Sequence, residues 1–114
     1  MKTLLIRGAD VPLPPALRDV IVRGSTSVDE RNASELDPSA TLAGVDRIVF
    51  WSAGDRATRT LAAKYAKAEQ RVGREVIVFV TTDASESVEG LSEGELFVWP
   101  RDEDRLIMAF MTGA

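Results

Sequence analysis

The sequence of 114 residues contains no cysteine and no histidine. Without cysteine, the chain cannot form disulfides or thiolate metal sites, and it has no cysteine nucleophile. Without histidine, it cannot build a Ser–His–Asp triad, an imidazole metal site or a phosphohistidine. We therefore expect no enzyme of these classes, and we predict no cofactor.

An excess of positive charge and a long apolar run are also missing. The chain carries 14 basic and 18 acidic residues, which gives a formal net charge of −4. A negatively charged molecule has no general attraction for nucleic acid, so we do not expect nucleic acid as a partner. The first apolar run, residues 4–6, is too short for a signal peptide, and a membrane span needs about twenty apolar residues. We therefore expect a cytoplasmic protein that does not bind membranes.

The composition that is present is typical of a globular protein, with 45% hydrophobic and 28% charged residues. The length predicts one domain, residues 1–114. A chain of this size buries roughly two thirds of its unfolded surface, which is enough for a core without disulfides or metals.

Five short apolar segments predict β-strands over residues 4–6, 20–23, 48–51, 76–80 and 96–99. Several of these segments show no polar alternation, so we expect both faces of the sheet to be covered. Helices are predicted over residues 37–44, 56–72 and 102–111. Strands that alternate with helices predict an α/β fold: a mainly parallel five-stranded sheet flanked by about three helices, in a reduced flavodoxin-like or Rossmann-like arrangement.

The connection between the first two predicted strands is unusual. Pro12, Pro14 and Pro15 lack an amide donor and do not fit inside a helix or a central strand. We therefore predict at most one helical turn there, over residues 15–18. Parallel strands normally need a longer crossover, so the strand order at this edge stays open.

The helix over residues 56–72 has the clearest pattern. Its apolar residues recur every three or four positions and form one stripe: Ala57, Leu61, Tyr65, Ala68 and Val72. Asp55 is the expected N-cap of this helix, and Gly73 is expected to end it.

Ligands of such folds bind beyond the carboxyl ends of the strands. The small or polar residues and basic residues at the predicted ends are Ser52, Gly54, Arg56, Arg59, Thr81 and Thr82. The turn from Ser52 to Gly54 leads into a helix start, where free amides and the helix dipole attract anions. Against a phosphate site, Asp55 competes for the same amides, and no glycine-rich phosphate-binding motif is present. Ordinary strand-to-helix turns have the same composition.

Three aspartates, Asp10, Asp55 and Asp83, also follow strand ends. Carboxylates gathered there could hold a hard cation such as Mg²⁺. The same positions suit turn formers and helix caps, and we predict no metal site. A serine nucleophile would need lysine or a carboxylate as its base, but Lys64 and Lys67 lie well inside the predicted helix. We therefore do not expect hydrolytic catalysis.

Three segments resemble the receiver domains of response regulators. Residues 46–51 (DRIVFW) are similar to the strand that carries the phosphorylated aspartate. Residues 76–81 (VIVFVT) are similar to the strand that ends in serine or threonine. Residues 95–106 (ELFVWPRDEDRL) are similar to the fifth strand, its lysine–proline pair and the last helix. The resemblance implies a flavodoxin-like fold.

The departures from that family remove its chemistry. Arg7 and Gly8 stand where the family has its acidic pair, and Trp51 replaces the phosphorylated aspartate. Val80 stands at the hydroxyl position, or Thr81 if the register slips by one residue. Phosphoryl transfer to an aspartate needs a metal seat and a carboxylate nucleophile, so the resemblance implies a module without phosphotransfer.

Trp99 replaces the lysine of the family, so two tryptophans are expected at the crevice. Trp51 and Trp99 either fill the crevice with apolar area or form an aromatic wall on which a planar ligand stacks. Both alternatives stay open at this point.

Charge is distributed unevenly. From Arg56 to Arg74 there are six basic residues and one acid, whereas residues 83–104 contain eight acids and one arginine. Each region alone is typical of a solvated surface. Together they predict a homodimer, in which the basic helix of one copy meets the acidic region of another, or an acidic protein partner.

Two functions follow from these observations. The first is a non-catalytic interaction or regulatory module, receiver-like without the phosphotransfer residues, that associates with itself. The alternative is a small-molecule domain that binds a nucleotide or another anion at the carboxyl ends of the strands.

Overall fold

The computed structural model describes residues 2–8, 12–32, 46–52, 56–67, 76–82, 85, 88 and 96–112. Within them, the elements follow in the order β1 (Lys2–Arg7), α1 (Pro15–Arg23), β2 (Ser27–Asn32), β3 (Arg47–Ser52), α2 (Arg56–Lys67), β4 (Val76–Thr81), β5 (Leu96–Val98) and α3 (Glu103–Thr112).

The five strands form one sheet in the order β2-β1-β3-β4-β5, and every neighbouring pair is parallel. The direction of winding reverses between β1 and β3, which is the arrangement of a flavodoxin-like sheet. The predicted α/β fold with a five-stranded parallel sheet is therefore confirmed.

Helices cover the sheet on both faces, which explains why the central strands are apolar without alternation. Helix α2 packs on the face that contains Leu4, Ile6, Ile48, Phe50, Ile77 and Phe79. Helices α1 and α3 pack on the opposite face, against Leu5, Val49, Trp51, Val78, Val80 and Phe97. Successive residues of a strand point to opposite faces, so each strand supplies both halves of the core.

The first crossover differs from the prediction. Residues 20–23, predicted as a strand, form the second half of α1, and the second strand is Ser27–Asn32. Pro15 is compatible with this helix because the first helical residue needs no amide donor. Leu17 and Ile21, one turn apart, are both buried on the sheet. Helix α1 is the crossover between β1 and β2, and β2 pairs parallel to β1.

The remaining described elements lie close to their predicted positions. Helix α2 begins at Arg56 as predicted and is described to Lys67; its described buried residues are Thr58, Leu61 and Ala62. The predicted helix over residues 37–44 lies outside the described residues.

In the described part of the chain, no helix combines the length and the apolar character needed to cross a membrane.

Candidate functional site

The carboxyl-terminal edge of the sheet is where the sequence predicts a ligand. Ser52 and Thr81, the last residues of β3 and β4, are register partners, and both are fully buried. Thr82 is exposed, as are Arg56 and Arg59 near the start of α2. Gly54 lies outside the described residues. The structure therefore brings two of the predicted hydroxyls together and leaves the two arginines on the surface.

The two tryptophans are part of the core on the α1–α3 face. Trp51 is 2% exposed and Trp99 is 9% exposed, and both belong to one apolar cluster. The indole Nε1 of Trp51 donates a hydrogen bond of 3.0 Å to the carbonyl oxygen of Pro12. Little of either ring is therefore open to a stacking ligand.

Arg7, the last residue of β1, is held by an ion pair. Its Nε donates to Glu30 Oε1 at 2.6 Å, and Arg18 Nη2 donates to the same oxygen at 3.1 Å. Burial alone would raise the pKa of Glu30, but the hydrogen bonds and charges of Arg18 and Arg7 outweigh it and lower that pKa below its ordinary value. The three side chains tie α1, β1 and β2 together at this edge.

A second carboxylate stabilises the turn between β5 and α3. Asp102 Oδ2 accepts a hydrogen bond of 2.8 Å from the amide of Val98. The hydrogen bond from Arg101 and the one from this amide lower the pKa of Asp102 below its ordinary value. Asp102 therefore acts as a structural group in the turn.

The three aspartates considered as metal ligands, Asp10, Asp55 and Asp83, lie outside the described residues. Among the residues that are described, no three acidic side chains converge on a point where a metal ion would sit.

A pocket of about 420 Å³ opens at the opposite, amino-terminal edge of the sheet, between the last turns of α1 and α3. Its lining residues are Arg23, Gly24, Ser25, Thr26, Arg47, Phe110 and Met111. No motif of the sequence predicts this pocket, because three separate segments of the chain contribute to it.

Arg47, the first residue of β3, lines this pocket and is only 2% exposed. Its Nη1 donates a hydrogen bond of 3.2 Å to the carbonyl oxygen of Gly24. Its Cζ lies 4.1 Å from the centroid of the Phe110 ring, which is a cation–π distance. Burial lowers the pKa of Arg47 below its ordinary value. The only sequence signal is an arginine directly before four apolar strand residues.

Hydroxyl groups form another wall of the pocket. Ser25 Oγ donates to the carbonyl oxygen of Ile21 at 2.7 Å and lies 2.6 Å from Thr3 Oγ1. Because the single hydroxyl hydrogen of Ser25 is used toward Ile21, Thr3 is the donor of the second bond. These bonds hold Ser25 at the end of α1, beside Arg47.

Among the described residues of the carboxyl edge, Arg7 and Trp51 are bonded to neighbouring protein groups. At the amino edge, a pocket opens beside Arg47. Comparisons with protein-family models, with curated proteins and with solved structures find no match to this chain.

Proposed function

We propose that this chain is a non-catalytic interaction module, receiver-like in its scaffold and without phosphotransfer residues, that associates with itself. The observation that supports it is the state of the carboxyl edge. Arg7 is paired with Glu30, and the Trp51 indole donates to Pro12, so these positions are used for internal bonds. Neither side chain can act as a carboxylate nucleophile or a metal ligand, which phosphoryl transfer to an aspartate requires.

The surface proposed for association is the outer side of α2. Arg56 and Lys64 are exposed there, while Leu61 and Ala62 of the same helix pack on the sheet. The acidic residues of the chain are concentrated in residues 83–104. Opposite charges on two surfaces of one chain favour association of one copy with the next, and salt weakens such contacts.

The test is the oligomeric state of the full chain as a function of protein and salt concentration, measured by analytical ultracentrifugation. We expect a dimer at low salt that dissociates as salt is added. Charge reversal at Arg56 and Lys64, which lie in one stripe, should weaken the dimer about tenfold, because each exposed pair contributes up to about 1 kcal/mol.

The control is Arg59→Glu, which reverses an exposed charge outside that stripe. It is compared with the single reversals Arg56→Glu and Lys64→Glu and should have a smaller effect than either. A chain that stays monomeric at every concentration would contradict self-association. Equal effects of the stripe and control variants would contradict the assignment of the surface.

A second candidate is an anion site at the carboxyl edge. It is favoured by the exposed Thr82 directly after β4 and by the exposed Arg56 and Arg59 at the start of α2. Titration with inorganic phosphate, followed by the amide NMR signals of Thr81 and Thr82, tests it. Saturable shifts that are lost in Arg56→Ala or Arg59→Ala would support this candidate, and unchanged spectra would contradict it.

A further inference from the structure

We propose that the pocket at the amino-terminal edge binds a small monocarboxylate with an apolar body, and that Arg47 holds its carboxylate. The pocket lies between α1 and α3, on the face of the sheet opposite α2. The site is therefore independent of the proposed interaction surface.

The charge of Arg47 requires an explanation. A buried charge is unfavourable unless it is paired and hydrogen-bonded. A guanidinium has five N–H donors, and in the described part of the chain this one makes a single side-chain hydrogen bond, to the neutral carbonyl of Gly24. No described carboxylate forms an ion pair with it. An anion in the pocket would supply the missing charge and acceptors.

The surroundings of Arg47 restrict the class of anion. The guanidinium fork matches the two oxygens of a carboxylate. The last turns of α1 and α3 border the pocket, and helix carboxyl ends carry partial negative charge, which disfavours a doubly charged phosphate. A singly charged carboxylate therefore fits better than phosphate. Ser25 and Thr26 line the same pocket, and Arg23 at its rim adds positive charge.

The other wall of the pocket is apolar and defines the body of the ligand. It consists of Phe110, which is buried, and Met111, which is 75% exposed. The volume of about 420 Å³ is within the range of small-molecule sites, which is roughly 300–1,000 Å³. A carboxylate on a ring or a branched alkyl chain would place its apolar part against this wall.

The test compares benzoate with benzamide, which has nearly the same shape but no charge, in titrations of the full chain. Binding is followed by the amide NMR signals of Ser25, Thr26 and Met111. We expect saturable shifts at these residues with benzoate and at least about tenfold weaker binding of benzamide, because a hydrogen bond to a charged group contributes more than a neutral one. Inorganic phosphate should also bind more weakly than benzoate.

Variants locate the ligand. Arg47→Gln should weaken benzoate binding about tenfold or more, and Arg47→Lys should give an intermediate loss, since lysine keeps the charge but not the fork. Replacing Arg47 also removes its contact with the Phe110 ring and can destabilise the core. Two variants of exposed methionines therefore provide a second test that leaves the core unchanged. Met111→Ala should weaken benzoate binding several-fold. Met108 lies on the same helix, is 62% exposed and does not line the pocket, so Met108→Ala should leave benzoate binding unchanged.

Three outcomes would overturn the proposal: equal affinities for benzoate and benzamide, equal effects of the Met111 and Met108 variants, or no saturable binding of benzoate. Shifts confined to Thr81 and Thr82 would place any anion at the carboxyl edge and would also overturn it. None of these results depends on the oligomeric state, so failure of this proposal and failure of the dimer proposal can be told apart.

Discussion

Trp51 combines the largest fully buried side chain with a specific polar contact. Its ring fills the core between the sheet and two helices, and its indole N–H is the donor to Pro12. The hydrogen bond fixes the segment that leads from β1 into α1. Trp51 therefore has a structural role in this chain, both in the core and in the connection between β1 and α1.

We expect Trp51→Phe to lower the free energy of unfolding by about 1 kcal/mol more than Trp99→Phe. Both changes remove similar ring area from one cluster, but only Trp51 has a side-chain hydrogen bond within the described residues. Urea denaturation of the two variants measures the difference. Equal losses would show that the bond to Pro12 contributes nothing to stability.

Glu30 predicts an acid-side dependence of stability. Its pKa is lowered in the folded state, so its contribution is complete above the unfolded-state value of about 4.3 and is lost as pH falls through the lower folded-state value. Glu30→Gln should therefore cost about 0.5–1 kcal/mol near neutral pH and much less in acid. Chemical denaturation at several pH values measures this.

The control for Glu30 is Asp29→Asn on the same strand. The Asp29 carboxylate is paired with Arg31 at the surface, so its replacement should change stability little at any pH. A Glu30→Gln variant with the same acid dependence as the parent chain would contradict the role assigned to Glu30.

Among the secondary-structure elements, the sequence predicts those that are determined by a local pattern of apolar and polar residues. β3 and β4 are apolar on both faces, and α2 begins where a periodic pattern begins, so these elements were found at nearly their observed positions. The strand β2 has the sequence SVDERN, which contains only one apolar residue. It becomes a strand because it pairs with β1, and no local pattern indicates that pairing.

The same reasoning separates the two candidate sites. Ser52 and Thr81 follow apolar strands, so their meeting at one edge could be predicted from parallel pairing alone. The pocket beside Arg47 depends on α1 reaching Gly24, whereas the sequence pattern of residues 20–23 predicts a strand in place of the second half of that helix. Because residues 20–23 are predicted as a strand and form a helix, the pocket could not be predicted from the sequence.

The contact between α1 and α3 gives a prediction at this scale. A Cβ atom added at Gly24 would lie 2.6 Å from Phe110 Cβ, closer than two such atoms can approach. The φ of Gly24 is −87°, which any residue can adopt, so the effect is one of packing. Gly24→Ala should lower the free energy of unfolding by about 1–3 kcal/mol.

Thermal denaturation checks this expectation, with Tm as the measured quantity. At a position with room and a normal φ, glycine to alanine usually stabilises a protein. A Gly24→Ala variant with an unchanged or higher Tm would therefore contradict the close approach of the two helices.

For the molecule as a whole, ligand binding and stability are linked. A ligand that binds only the folded chain stabilises it by about 2.7 kcal/mol at one hundred times its dissociation constant. Benzoate at that ratio should raise the free energy of unfolding of the parent chain by this amount. For Arg47→Gln, whose dissociation constant is expected to be about tenfold higher, the same benzoate concentration should give only about 1.4 kcal/mol. Urea denaturation with and without benzoate measures the shift, and identical shifts for both chains would contradict binding at Arg47.

Among the described strands, β2 is an edge strand of the sheet, and Asp29, Glu30 and Arg31 are three consecutive charged residues along it. Charged side chains on a terminal strand discourage further strands from adding to it. Replacing these charged residues with valine or threonine would leave an uncharged edge strand that can pair with strands of other copies. The chain should then become prone to fibril formation. The charged residues that prevent the sequence pattern from indicating β2 as a strand would thus also prevent strand pairing between copies of the protein.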